Sequence, residues 1–130
     1  MQAYRDHYSG TMPMIGIAGH TFIRETEVEI NKEFYPYYAS YWKHLTKQGI
    51  GGAMGVARTD IGFITSKESS LFVGTPKQLV EKIVYQHQLF KHDRFYAQVD
   101  FGGQDLASVN KTIRLLVEYV MPEVKKHLYQ

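Results

Sequence analysis

Apolar residues come in blocks of different period along this chain. Residues 14–23 (MIGIAGHTFI) form a short apolar run with three isoleucines, closed by an acidic cluster. The run is shorter than an ordinary helix and does not alternate cleanly, which predicts a strand covered on both faces, as in a parallel sheet. From residue 26 the period becomes helical: Phe34, Tyr38, Tyr41, Trp42 and Leu45 share one face. Thr26 with Glu29 three positions on fits a capping box. Glu25, Glu27 and Glu29 sit at the positive end of the helix dipole, and Lys43 and Lys47 at the negative end. A helix over 26–47 follows. Pro36 is expected to kink or break it, because the ring removes one hydrogen bond and crowds the carbonyl of Lys32.

Gly49 suits a left-handed cap. The stretch it opens, GIGGAMG from Gly49 to Gly55, lacks the G-x-G-x-x-G spacing and the Walker lysine, so a connection is expected and not a phosphate cradle. Residues 49–74 are expected to be irregular, with a short strand near Ile61 to Ile64. Thr75-Pro76-Lys77-Gln78 then marks a helix start, with threonine at the cap, proline first and glutamine third. The helix over 76–90 buries Leu79, Val80, Ile83, Val84 and Phe90. Residues 94–101 (RFYAQVDF) alternate strictly and predict a strand ended by Gly102-Gly103. Asp105 caps a final helix over 105–128 with a broad apolar stripe from Leu106 to Leu128 and a basic end at Lys125, Lys126 and His127.

Strand, helix, loop, helix, strand, helix is the order of an α/β protein with a parallel sheet. Two strands do not complete such a sheet. They leave edges unpaired and helix faces uncovered.

Composition narrows the function classes. The 130 residues amount to one domain. Fifteen basic against 13 acidic side chains give a net charge of +2, too weak a field for a nucleic-acid or anionic-membrane binder. The absence of cysteine excludes disulfides, thiolate metal sites and thiol nucleophiles. No apolar run has the length of a membrane span, and no basic flank precedes an apolar stretch at the N-terminus, so a soluble, cytoplasmic protein is expected. Ten tyrosines and seven phenylalanines suit a core and surface rich in rings. His87 and His92 lie five apart, off the i, i+4 spacing that puts two imidazoles on one helical face, and no metal is expected.

The segments Phe72-Val73-Gly74-Thr75-Pro76-Lys77-Gln78-Leu79-Val80-Glu81-Lys82-Ile83, Asp93-Arg94-Phe95, Gln98-Val99-Asp100-Phe101-Gly102-Gly103 and Val120-Met121-Pro122, in that order, resemble the C-terminal end of luciferase-like flavin-dependent monooxygenases. Gly16-Ile17, His20, Phe22 and Phe34-Tyr35-Pro36 resemble the segment before it. The similarity spans roughly Tyr4 to Leu128. It implies a (β/α)₈ barrel, which needs about 250 residues. The chain would then be a C-terminal segment of a barrel, a partial TIM barrel carrying about the last two strands and their helices.

The resemblance also implies chemistry. Family members bind reduced FMN and activate molecular oxygen to oxygenate a small organic substrate, with the protein positioning the flavin and excluding water. Sites in such barrels lie at the C-terminal ends of the strands. Those ends carry His20 after the first strand, as a candidate catalytic group toward flavin or substrate, and Asp100, Gly102 and Gly103 after the second. Asp100 would orient a polar group of the cofactor or accept hydrogen bonds from the glycine turn. Gly74 and Thr75, at a helix start, are candidates for the flavin phosphate, and Arg58 is a weaker one. Ala18 stands where some relatives have a second histidine. The isolated chain is expected to hold FMN weakly and to be inactive. The alternative is a non-catalytic association module that completes its sheet with another copy or with the rest of the barrel.

Overall fold

The computed structural model of the protein describes residues 2–50 and 61–129. In chain order the elements are α1 (Gln2–His7), β1 (Gly16–Ile23), α2 (Glu27–Lys47), α3 (Ile61–Thr65), β2 (Phe72–Gly74), α4 (Pro76–Phe90), β3 (Arg94–Gln98), α5 (Leu106–Leu115), a π-helical turn (Leu116–Val120) and α6 (Met121–Leu128). The molecule is α/β, built on a small parallel sheet of order β2-β1-β3.

Among the described residues the sheet has three strands, one more than periodicity predicts. β2 is only three residues long, and it lies inside the stretch expected to be irregular. All three of its residues are buried, so its pairing is set by packing and not by an alternating pattern. The strand expected near Ile61 to Ile64 is instead the short helix α3, which turns Ile64 and Thr65 inward. β3 ends at Gln98, three residues before the alternation does. The glycine stretch beyond Ile50 and Arg58 lie outside the described residues.

The strand register shows which way each backbone group points. Arg94 N–H donates to Ile15 O at one end of β1, and Arg24 N–H donates to Gly74 O at the other. Successive residues of a strand point alternately to its two sides. Odd-numbered backbone groups of β1 therefore face β3, and even-numbered ones face β2. At the C-terminal end of β1, Ile23 N–H has no strand partner on the β3 side, and the Thr112 hydroxyl of α5 accepts it at 3.3 Å.

Two apolar layers sandwich the C-terminal half of the sheet. On one face Phe22, Val73 and Phe101 pack with Ile30 and Phe34 of α2 and Ile64 of α3. On the other, Ile23 and Phe72 pack with Leu79 and Ile83 of α4, Leu115 of α5 and Val120 of the π turn. The N-terminal half is covered on one face only. Gly16 and Ala18 of β1 and Arg94, Tyr96 and Gln98 of β3 are exposed together on the α2 side, where α2 does not reach. The double cover expected for residues 14–23 thus holds only for Thr21 to Ile23.

The helix ends follow the sequence closely. Thr26–Glu29 and Thr75–Gln78 are both reciprocal capping boxes, and Asp105 caps α5 through Ser108 N–H. Beyond α2, Gly49 N–H bonds Thr46 O and Ile50 N–H bonds Leu45 O, with Gly49 at φ +71°, which is a Schellman ending. The prolines behave differently from expectation. α2 runs unbroken through Pro36. The last helix, expected to be uniform, widens instead at Leu116–Val120, where Met121 N–H bonds Leu116 O five residues back. Pro122 follows immediately. It has no N–H for the carbonyl of Glu118 and its ring would crowd that carbonyl, and a wider turn relieves both problems.

Candidate functional site

The C-terminal ends of the three parallel strands bring most of the predicted residues to one end of the sheet. His20 is half-buried there in a nest of rings. Its imidazole stacks on Phe101 at 5.1 Å and meets Tyr41 edge-on at 4.6 Å and Tyr38 at 6.4 Å. α2 supplies the tyrosines because its ring-bearing face lies over Phe22 and Phe101. Burial holds the imidazole below the usual histidine range, so it is neutral near pH 7. Among the described residues neither ring nitrogen of His20 is hydrogen-bonded within the chain. A neutral ring of this kind can accept a hydrogen bond at one nitrogen and donate at the other.

Asp100, Gly102 and Gly103 lie beside this nest through Phe101. The Asp100 side chain is exposed and makes no hydrogen bond among the described residues. The turn is held by Gln104, whose amide donates to Val99 O at 3.0 Å and Phe101 O at 3.1 Å. Both glycines have a left-handed backbone, φ +70° and +71°. At Gly102 the backbone of Tyr37 presses so close that a Cβ would fall 1.9 Å from its carbonyl oxygen, whereas Gly103 faces open space. Gly102 is therefore required by the packing of the turn under α2.

Gly74 and Thr75 sit further along, where Gly74 pairs with Ile23. Gly74 is buried against Gln78 and Leu79, and its carbonyl accepts Arg24 N–H. Two of the helix-start donors are engaged: Thr75 N–H gives its hydrogen bond to Gln78 Oε1, and Gln78 N–H gives its own to Thr75 Oγ1.

Two buried cations at this end escape periodicity. Arg24, 1% exposed, lies over the Phe22 ring at 4.0 Å. It donates from Nε to Glu33 at 2.5 Å, from Nη1 to Ile23 O at 2.8 Å and Thr112 Oγ1 at 3.1 Å, and from Nη2 to Ser108 Oγ at 2.6 Å. Four donors thus tie the end of β1 to α2 and α5. Lys82, fully buried on α4, donates to Ile64 O at 3.1 Å and to Leu71 O. In sequence both read as ordinary polar positions; the one available signal is a charge inside an apolar stripe, at Lys82 between Leu79 and Ile83.

His87 and His92 meet edge to face with ring centroids 5.3 Å apart, and His87 Nδ1 lies 2.9 Å from His92 O. Among the described residues no three histidine or carboxylate side chains are placed to hold a metal ion, and no helix is long and apolar enough to cross a membrane. A scan of protein-family models gives no match to the chain, and a search of curated proteins gives none.

Proposed function

We propose that the chain supplies the far wall of a luciferase-like flavin barrel, the last strands and helices of a partial TIM barrel whose full complement oxygenates a small organic substrate with reduced FMN and oxygen. The observation that carries this proposal is the half-covered sheet. Parallel sheets are normally covered on both faces, yet Gly16, Ala18, Tyr96 and Gln98 form a bare face, and the even-numbered backbone groups of Gly16 and Ala18 point past the end of short β2. A barrel interior and a neighbouring strand would occupy those places.

The residues present fit part of a flavin. The ring nest of His20, Tyr41 and Phe101 offers an apolar wall and a neutral imidazole with free nitrogens, suited to the edge of a flat heterocycle or to its substrate. At Gly74 and Thr75 the capping box takes the Thr75 and Gln78 N–H groups and Pro76 has none, which leaves little there for a phosphate. When bound, the flavin supplies the oxygen chemistry; His20 would position a polar group and α2 would exclude water from it. Asp100, exposed beside the nest and without a hydrogen bond among the described residues, is a further polar group at the mouth.

FMN titrated into the pure chain, followed by flavin fluorescence, is expected to show binding far weaker than micromolar, since most of the proposed barrel lies outside this chain. Saturation at micromolar FMN would overturn this. The upstream coding sequence gives a second test. An in-frame continuation with barrel-like alternation supports the proposal, and a stop codon directly before Met1 sinks it.

A second reading has its own observation. Leu106, Ile113, Val117 and Met121 line the outside of the last helix and are exposed, Leu106 by 73% and Val117 by 54%. The π turn gives this helix two apolar faces, one on the core and one outside. The association-module alternative explains the second.

A further inference from the structure

We propose that β3 is a homodimerisation edge, at which a second copy of the chain pairs antiparallel along Arg94–Asp100 across a two-fold axis at Ala97. This rests on the association reading and specifies its partner and register.

Among the described residues β3 pairs with β1 alone. Arg94 N–H points to β1, so by alternation the backbone groups of Phe95 and Ala97 point outward with no strand to meet them. An edge of this kind is a template for another strand. The identity of that strand follows from the segment's own chemistry. Arg94-Phe95-Tyr96-Ala97-Gln98-Val99-Asp100 is palindromic in character about Ala97. Antiparallel pairing about that residue sets Arg94 against Asp100 of the second copy, twice. It also sets Phe95 against Val99, and Tyr96 against Gln98. Neither Arg94 nor Asp100 forms an ion pair among the described residues. The two Ala97 residues exchange both backbone hydrogen bonds, and Phe95 does the same with Val99. The Val99 carbonyl already accepts from Gln104, and its second lone pair remains for this bond.

Packing beside the edge agrees. Phe95 and Ala97 line an apolar groove of about 320 Å³ with Leu116, Val120, Met121 and Val124. A two-fold axis at Ala97 sets two such grooves side by side, with the exposed flanks of both last helices next to them. A strand edge by itself is small against the roughly 1,200–2,000 Å² of a stable interface, and the helix flanks supply apolar area to add to it. The product is a six-stranded sheet, antiparallel only at its centre, and mixed sheets of that kind are common.

The test measures the mass of the full chain by light scattering and sedimentation across concentration, with circular dichroism to confirm folding. The expected species is a dimer of the 15.0 kDa chain. Arg94→Asp and Asp100→Arg should each weaken dimerisation by about tenfold or more, and the double exchange should restore it to within about threefold, because the swapped charges again face each other. Ala97→Pro should give a folded monomer, since that N–H faces away from β1 and proline is tolerated on an edge strand. A monomer at every concentration overturns both this proposal and the association reading. A dimer indifferent to all these variants overturns the β3 pairing and leaves association by another surface, such as the bare sheet face.

Discussion

Lys82 shows how a single buried charge makes stability depend on pH. Its ammonium is enclosed between α4, the end of α3 and the approach to β2, where burial pushes its pKa from the usual lysine range down to about 8, partly offset by Glu68. The folded state therefore binds fewer protons than the unfolded chain between about pH 8 and the unfolded lysine value near 10.4. By linkage, stability rises with pH across that window, and the burial cost returns in full below it. Urea unfolding of the wild type and of Lys82→Met, compared from pH 7.5 to 10.5, is expected to show the difference moving in favour of the wild type by roughly 2–3 kcal/mol. A flat difference would mean that the amine is solvated. Arg24 is the complementary case: four of its donors are satisfied, so it works as a clamp on the end of β1. Neither role was legible in sequence, because a pattern of polar and apolar positions records where a charge occurs and not which carbonyls will surround it.

At the scale of elements, local chemistry was legible and tertiary compromise was not. Thr26, Thr75, Asp105 and Gly49 act as expected because caps are set by three or four neighbouring residues. β2 was missed because three residues carry no period, and Pro122 was passed over because the apolar stripe continues across it; only the chain's answer, a π turn, reveals the conflict. Of the predicted site, His20 and the Asp100–Gly103 turn come together around Phe101, whereas Gly74 and Thr75 are taken up by packing and capping. The glycine turn gives a sharp comparison. Gly102 and Gly103 have nearly the same φ, so an alanine at either meets about 1–2 kcal/mol of left-handed strain. Only at Gly102 would the new Cβ also strike the Tyr37 backbone. Gly103→Ala is expected to lose about 1 kcal/mol in denaturant unfolding, and Gly102→Ala at least about 3 kcal/mol, because α2 has to move. Equal losses would mean that the turn does not lie under α2 as described.

At the scale of the whole molecule the sheet is closed at one end and open at the other. Toward its C-terminal end it is sealed on both faces, β1 is paired with β2, and Thr112 and Arg24 satisfy what the strands leave over. Toward its N-terminal end one face is bare, β1 has a neighbour on one side only, and β3 has none beyond it. Opening free energies should follow this gradient, since amides exchange slowly only where a hydrogen bond is held in a packed region. The alternation of backbone direction sharpens the expectation to single residues. In β3 the amides of Tyr96 and Gln98 face β1 and those of Phe95 and Ala97 face out. In β1 the amides of Ile17 and Gly19 face β3, while that of Ala18 points past β2. Hydrogen exchange followed by NMR on dilute chain should therefore show slow exchange at Ile17, Gly19, Tyr96 and Gln98, fast exchange at Ala18, Phe95 and Ala97, and continuous protection from Phe22 to Arg24. Raising the concentration should slow Phe95 and Ala97 and leave Ala18 unchanged, because a partner on the β3 edge covers the first two and not the third. Protection of Ala18 that rises with them would instead place a partner strand along β1 beyond the end of β2, where a neighbouring strand of a barrel would lie.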